Sequence, residues 1–327
     1  MIYSIRTSKW VLILFNYDKS FIAKRASEMG FIRDVLEKFY RLADVLEYLN
    51  NNPLLKTSLA LKGGTAINLT IFNLPRLSVD IDLDYLKPVS REEMLAQREI
   101  INADIFKYMQ ARGYNLSPKT KNPHSLDSWV FEYVNAGGNR DNMKIEINYS
   151  MRAHILPVEE RAIVAAQFTG DYKVNSLSAI EIFASKINAL LNRAAARDLY
   201  DINNMLYFGL FDESEYSLLR KCILFYCSIS SKTLDKGFDA SVIDKLTNYK
   251  IRTELLPVIR RKEHFNLDSA KAKVKKFIAE LMVLTPQEQE FIFCFENKRY
   301  MPELLFDDEA IVGRIKEHPM ILWKMRN

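Results

Sequence analysis

Cysteine and histidine are both scarce. The 327-residue chain has three cysteines, Cys222, Cys227 and Cys294, too few for a disulfide framework. Cys222 and Cys227 lie five apart in an apolar helical run, where buried free thiols are expected. Its four histidines, His124, His154, His264 and His318, are scattered without zinc-ligand spacing. Glycine and proline number ten each, and no repeat, Pro-rich linker or low-complexity segment is present. No apolar run is long enough to span a bilayer. The nearest approach, Trp10 to Phe15 behind Arg6 and Lys9, is too short for a signal peptide. It lacks a small-residue cleavage site and runs at once into Asp18, Lys19, Lys24 and Arg25. This segment reads as a strand or helix packed on the core of a cytoplasmic protein.

With 48% hydrophobic and 27% charged residues, the composition is that of a globular, helix-rich chain with room for two ordinary cores. The formal charge of +5 is uneven. Between Arg252 and Lys276, eight basic residues stand against three acids, an excess equal to that of the whole chain. Two readings stand for this segment: a footprint for a polyanion, or a solvated helix face.

Residues 58–86 organise the rest: a strand, a Gly63-Gly64-Thr65 turn, a short helix and a second strand that alternates strictly. In that second strand Val79, Ile81 and Leu83 point one way while Asp80, Asp82 and Asp84 point the other. Three carboxylates on one face repel unless cations sit among them. Mg²⁺ is the usual answer, and it brings substrate phosphates with it. A glycine turn opening a helix supplies backbone N–H groups for those phosphates. Together they point to a metal-dependent nucleotide site. An acid-blunted edge strand is the plainer alternative.

The rest of the chain supports a sheet flanked by helices. Residues 31–50 carry one apolar stripe at helical spacing and stop at Pro53. A second helix follows Ser90, capped with Glu93, and closes at Gly113. Residues 128–135 and 143–149 alternate as a hairpin around AGGNRDN, and MRAHILP (151–157) ends the sheet portion. On the second hairpin strand Lys144, Glu146 and Asn148 share a face. Glu146 is either a third metal-binding carboxylate or an ion-pair partner of Lys144, and Arg152 reaches a phosphate if it faces the cleft. Another capping box, Ser178 with Glu181, opens a helix whose Lys186, Arg193 and Arg197 fall on one face. Asp201, four beyond Arg197, pairs with it if that helix continues. From residue 214 onward successive helices are expected.

Lys62-Gly63-Gly64-Thr65-Ala66 followed by Arg76-x-Ser78-x-Asp80-Ile81-Asp82-Leu83 closely resembles the AbiEii/AbiGii (MenT-like) toxin family, within the DNA polymerase β-like nucleotidyltransferase superfamily. Glu181, Lys186, Arg193 and Arg197-Asp198-Leu199-Tyr200-Asp201 resemble its later motifs, so the resemblance covers roughly residues 20 to 210. It implies an α+β chain: a polymerase β-like core with a mixed sheet and flanking helices (residues 1–165), then a helical C-terminal domain (166–327).

The resemblance also implies a reaction, nucleotidyl transfer from a nucleoside triphosphate. Asp80, Asp82 and Glu146 would hold Mg²⁺. Gly63, Gly64, Thr65 and Ser78 would contact the triphosphate, and Lys186 would neutralise its β- and γ-phosphates. Asp201 would orient Lys186 or an arginine, or help take a proton, with Asp198 the nearer acid. The implied partners are an RNA acceptor, such as the 3′ end of tRNA, and an AbiEi-like antitoxin. A protein or small-molecule acceptor is the first rival, and a catalytically inactive interaction protein the second. Intact Asp80, Asp82 and Lys186 argue against the second.

Overall fold

The computed structural model describes residues 18–165, 169–230 and 238–326. The Trp10–Phe15 segment lies outside the described residues. A seven-stranded mixed sheet carries the molecule, built from β1 (Leu59–Lys62), β2 (Asp80–Tyr85), β3 (Asn115–Leu116), β4 (Leu126–Val134), β5 (Arg140–Asn148), β6 (Glu159–Ala162) and β7 (Lys173–Ser176). Their spatial order is β3-β4-β5-β2-β1-β7-β6. The acidic strand β2 sits at the centre, antiparallel to β1 and parallel to β5. The expected α+β core with a helical C-terminal portion is what the chain builds.

Local sequence explains most of the elements around the sheet. The Arg33–Asn51 helix buries Leu36, Phe39, Leu42, Val45, Leu46 and Leu49, one stripe at helical period. Pro53 ends it and also begins the Pro53–Ser58 helix, because Asn52 Oδ1 accepts from the Leu54 and Leu55 amides at 3.0 and 3.3 Å and a proline at the first helical position gives up no bond. The long Arg91–Ala111 helix has the expected Ser90–Glu93 capping box, and Gly113 follows it at φ +80°. Between β2 and β5 this helix provides the crossover that a parallel pair needs. The hairpin β4–β5 runs in register from Leu126↔Asn148 to Val134↔Arg140. Trp129, Phe131, Ile145 and Ile147 are buried on its apolar face.

Two sequence expectations fail in this part of the chain. The sheet does not end at MRAHILP: β6 and β7 follow, antiparallel to each other, with β7 parallel to β1 at Leu61↔Ser176. Both are four residues long, too short and too polar to show an alternating pattern. Residues 240–249 do not form one α-helix. They split into a 3₁₀ segment, Ala240–Lys245, and the Asn248–Lys250 turn, because Leu246 and Thr247 are extended and Thr247 recaps the chain. The remaining C-terminal helices, among them Glu213–Ser230, Leu267–Leu281 and Pro286–Glu296, appear where the periodicity places them. All three cysteines are buried thiols. Among the described residues no helix is long and apolar enough to cross a membrane.

Candidate active site

At the end of β1 the chain turns through Gly63 at φ +68°, in the left-handed region, and a Cβ there would sit 2.6 Å from Asp82 Oδ2. A Cβ at Gly64 would collide with the Arg76 guanidinium. Both glycines are therefore required by what presses on the turn from β2 and from the loop before it. Thr65 is fully buried; its hydroxyl bonds to the Asp80 carbonyl and lies 2.7 Å from the Ser78 hydroxyl. Asn68 ties the same loop, donating to the Gly64 carbonyl at 2.7 Å and accepting from the Arg76 amide at 3.2 Å.

The acidic face divides. Asp84, 1% exposed, is held in an ion pair with Lys62. Asp80 and Asp82 remain, and the parallel register sets Asp82 directly opposite Glu146 on β5, with Asp80 opposite Lys144. Burial first, then the Asp80 and Glu146 charges, hold the Asp82 carboxyl above its ordinary value. Glu146 lies opposite Asp82 in this register, and its Oε2 is 2.9 Å from Lys144 Nζ, the ion pair of the plainer reading. Arg197 stands 3.9 Å from Asp80.

The basic residues come from two helices, not one. The Ala179–Arg193 helix, called the lysine helix below, stops where Ala194 takes a left-handed backbone (φ 46°, ψ 59°). The Ala196–Tyr207 helix, here the aspartate helix, then starts in a new direction. Arg197 consequently leaves the face of Lys186 and Arg193, and Asp201 does not pair with it. Asp201 instead takes two 2.7 Å hydrogen bonds from Arg76 and lies 3.2 Å from Lys186 Nζ. Lys186 also donates to Asp198 at 3.0 Å, and Arg193 grips both oxygens of Asp198 at 2.8 and 3.1 Å.

Charge pairing inside this network outweighs desolvation. Burial works against the Lys186 charge, but Asp198 and Asp201 overcome it and raise the ammonium above its ordinary value. Asp198 is also buried, yet Lys186 and Arg193 hold its carboxyl at about 2. At the head of the lysine helix Ser178 caps the Glu181 amide, but Glu181 does not return the bond. Its carboxylate accepts from the Ile155 and Leu156 amides and from the Tyr226 hydroxyl. Only half of the expected capping box forms.

These groups line a cavity of about 270 Å³ that brings together Gly64, Arg76, Ser78, Asp80, Asp82 and Glu146 with Lys186, Arg193, Arg197 and Asp198. A second space of about 350 Å³ adjoins it, sharing Asp82, Glu146, Lys186 and Arg193 and reaching Gly63. Thr65 and Asp201 lie behind the walls, bonded to residues that face inward. Arg152 does not reach either space; its guanidinium bonds back to the Tyr149 carbonyl at 3.2 Å.

The sequence reading did not place three residues here. Arg76 was visible inside the motif, but its partner was not. Arg197 needed the break at Ala194. Glu254 enters from the C-terminal portion, lining the cavity while its Oε2 accepts from the Ala196 amide at 3.2 Å; no local signal could have announced it.

Among the described residues, no three His, Cys, Asp or Glu side chains stand close enough together to cage a metal ion. The donor chemistry nevertheless suits a hard divalent cation. Asp80, Asp82 and Glu146 offer carboxylate oxygens on adjacent strands, and the Asp82 carboxyl is raised by burial first and then by its acidic neighbours. Lys144 and Arg197 stand against the two outer acids.

A family model described as nucleotidyl transferase AbiEii toxin of a type IV toxin–antitoxin system matches residues 44–297. No curated protein matches the chain. Among solved structures the fold is similar to that of MenT4, a nucleotidyltransferase toxin from Mycobacterium tuberculosis H37Rv, at 20% identity and a TM-score of 0.58. That match covers 90% of this chain and 97% of the other.

Proposed function

Because the chain belongs to the AbiEii family of nucleotidyltransferase toxins of type IV toxin–antitoxin systems, we propose that this nucleotidyltransferase moves a nucleotide from a nucleoside triphosphate to an RNA hydroxyl, the 3′ end of a tRNA, and releases pyrophosphate. The observation that carries the reading is the register of β2 on β5. It sets Asp82 against Glu146, beside Asp80, at a cavity that Lys186, Arg193 and Arg197 also line. Carboxylates and cations share a space of about 270 Å³, the charge mixture that a metal-bound triphosphate needs.

Asp80, Asp82 and Glu146 would hold Mg²⁺, with Glu146 exchanging Lys144 for the cation. Bound there, the metal supplies Lewis-acid polarisation of the reacting phosphate and acidifies the attacking hydroxyl. Gly64 and Ser78 face the same cavity and bind the triphosphate, and Gly63 keeps the turn clear of the Asp82 carboxylate. Thr65 acts from behind, fixing Ser78 and the Asp80 backbone. Lys186, with Arg193 and Arg197, neutralises the departing pyrophosphate. Asp201 is a positioning residue: locked between Arg76 and Lys186 and fully buried, it sets the direction of the ammonium.

The acceptor half of the reading rests on Arg252–Lys276. Lys271 and Lys275 are occupied by the Leu246 carbonyl and by Asp244. Arg252, Arg260, Arg261, Lys262 and Lys273 are exposed and form the positive surface for an RNA backbone. An AbiEi-like antitoxin is the cognate partner.

The test is incubation with total RNA, Mg²⁺ and each α-labelled nucleoside triphosphate in turn. Label is expected in a tRNA-sized band with one nucleotide preferred. Label in protein or in a small product only would move the acceptor to another class.

A further inference from the structure

A further cleft lies outside the catalytic cavity. It encloses about 820 Å³ on the opposite side of the aspartate helix. That helix has two faces. Asp198 and Asp201 serve the nucleotide site, while Tyr200, Asn203, Asn204 and Tyr207, at helical spacing, line the cleft. The two spaces stand back to back. The Tyr200 hydroxyl reaches the Pro75 carbonyl at 3.0 Å, and the next residue, Arg76, crosses to Asp201.

The lining of the cleft is unusual for a packing defect. Tyr207 is 73% exposed and Phe208 55%. Their rings pack edge to face at 5.1 Å, and Phe208 also lies 5.1 Å from Phe72, giving a continuous aromatic ledge open to solvent. The amides of Asn73, Asn203, Asn204 and Asn266 surround it. Arg260 and His264 line the rim, and Lys273 Nζ stands 5.8 Å from the Tyr207 ring centre. The acid in the lining, Glu263, is already engaged by the Tyr200 hydroxyl at 2.6 Å.

Flat ring faces, side-chain amides that offer both a donor and an acceptor, and cations at the mouth match the three parts of a nucleotide: base face, base edge and phosphate. A lipid tail would want an unbroken apolar lining, and a bare phosphate would have no use for rings. We propose that this cleft is a base-binding subsite for unpaired nucleotides of a single-stranded RNA segment, with a base stacked on the Tyr207–Phe208 ledge and the backbone running over Arg260 and Lys273. This inference rests on the RNA-acceptor reading above and adds to it where, and by what chemistry, the acceptor is gripped away from the reacting end.

The test uses the full chain and two fluorescein-labelled single-stranded oligoribonucleotides of equal length, one carrying bases and one abasic throughout, followed by anisotropy. The parent protein is expected to prefer the base-bearing strand by about fivefold or more. Tyr207→Ala should erase that preference while leaving the affinity for the abasic strand unchanged. Tyr207→Phe should retain the preference, since the ring remains. Tyr207 is largely exposed, so the variant folds; Tyr207→Ala combined with Phe208→Ala provides a second reading of the same ledge. Equal affinity of the parent for both strands, or a preference that survives the double variant, overturns the subsite while the acceptor reading stands. If neither strand binds and no RNA is labelled, the subsite and the acceptor reading fall together.

Discussion

Arg76 and Asp201, 125 residues apart in the chain, are joined by two hydrogen bonds of 2.7 Å, Nε to Oδ1 and Nη2 to Oδ2. Both side chains are buried, at 2% and 0% exposure. This fork links the loop before the acidic strand to the aspartate helix, and Lys186 leans on the same carboxylate.

Breaking the fork from its two ends should cost different amounts. Asp201→Ala leaves Arg76 buried without its carboxylate and should lose about 3–5 kcal/mol. Arg76→Ala leaves Asp201 still facing Lys186 at 3.2 Å and should lose less. Urea denaturation of the two variants measures this; equal losses below about 1 kcal/mol would contradict a buried, mutually compensating pair.

Asp80→Ala and Asp82→Ala should each lower transfer by about a hundredfold or more with the fold intact. Removing the Asp82 charge relieves repulsion from Asp80 and Glu146, so metal-free Asp82→Asn should melt at or above the parent temperature. Near-parental turnover in either alanine variant would dissolve the metal-site assignment.

Lys186→Ala should reduce nucleotide use by about a hundredfold. Lys186→Arg should recover part of it, because a planar fork cannot reproduce the point contact to Asp198 and Asp201. Steady-state rates at saturating and limiting nucleotide separate binding from turnover. Equal activity in all three proteins would reduce Lys186 to a structural ion pair.

Acid should weaken the Asp198 network in a defined window. The Asp198 carboxyl titrates at about 2 in the folded protein against an ordinary 3.8. Its depressed value means that its stabilisation is complete above the ordinary carboxylate range and is lost as pH falls toward about 2. Parent and Asp198→Asn stabilities should therefore converge by about 2 kcal/mol between about pH 5 and about pH 2. A stability gap independent of pH in that window would show that the Asp198 charge does not stabilise the fold.

Replacing Arg260, Arg261 and Lys262 together by Ala should weaken RNA binding and reduce its dependence on salt, by up to about two units of the log–log slope if all three contact phosphate on a single strand. Nucleotide binding at the Asp80 cavity should be nearly unchanged. Affinities measured across a salt series decide it: parallel slopes with equal affinities would remove this segment from the acceptor surface.

Much of the fold and of the cavity wall is legible locally. Alternation put Asp80 and Asp82 on one face and Ile81 and Leu83 on the other, and those faces are polar and buried respectively. The glycine pair marked a turn that only glycine can make beneath Asp82. The stripe of the Arg33–Asn51 helix and the Ser90 cap were equally visible, because each depends on residues within one or two turns. The strands β6 and β7 were not: four polar residues at a sheet edge carry no period, and their place is set by β1 beside them.

The sequence by itself determined that Asp80 and Asp82 would share one strand face beside a glycine turn and that Lys186 and Arg193 would share one helix face, since side-chain direction follows from strand and helix geometry alone. Tertiary structure decided which charge meets which. Packing paired Asp84 with Lys62, broke the lysine helix at Ala194 so that Arg197 faces Asp80, and gave Asp201 to Arg76. It also brought Glu254 in from a distant segment. The reason is physical: a periodic pattern fixes directions over a few residues. An ion pair, by contrast, depends on the approach of elements that only the folded core brings together.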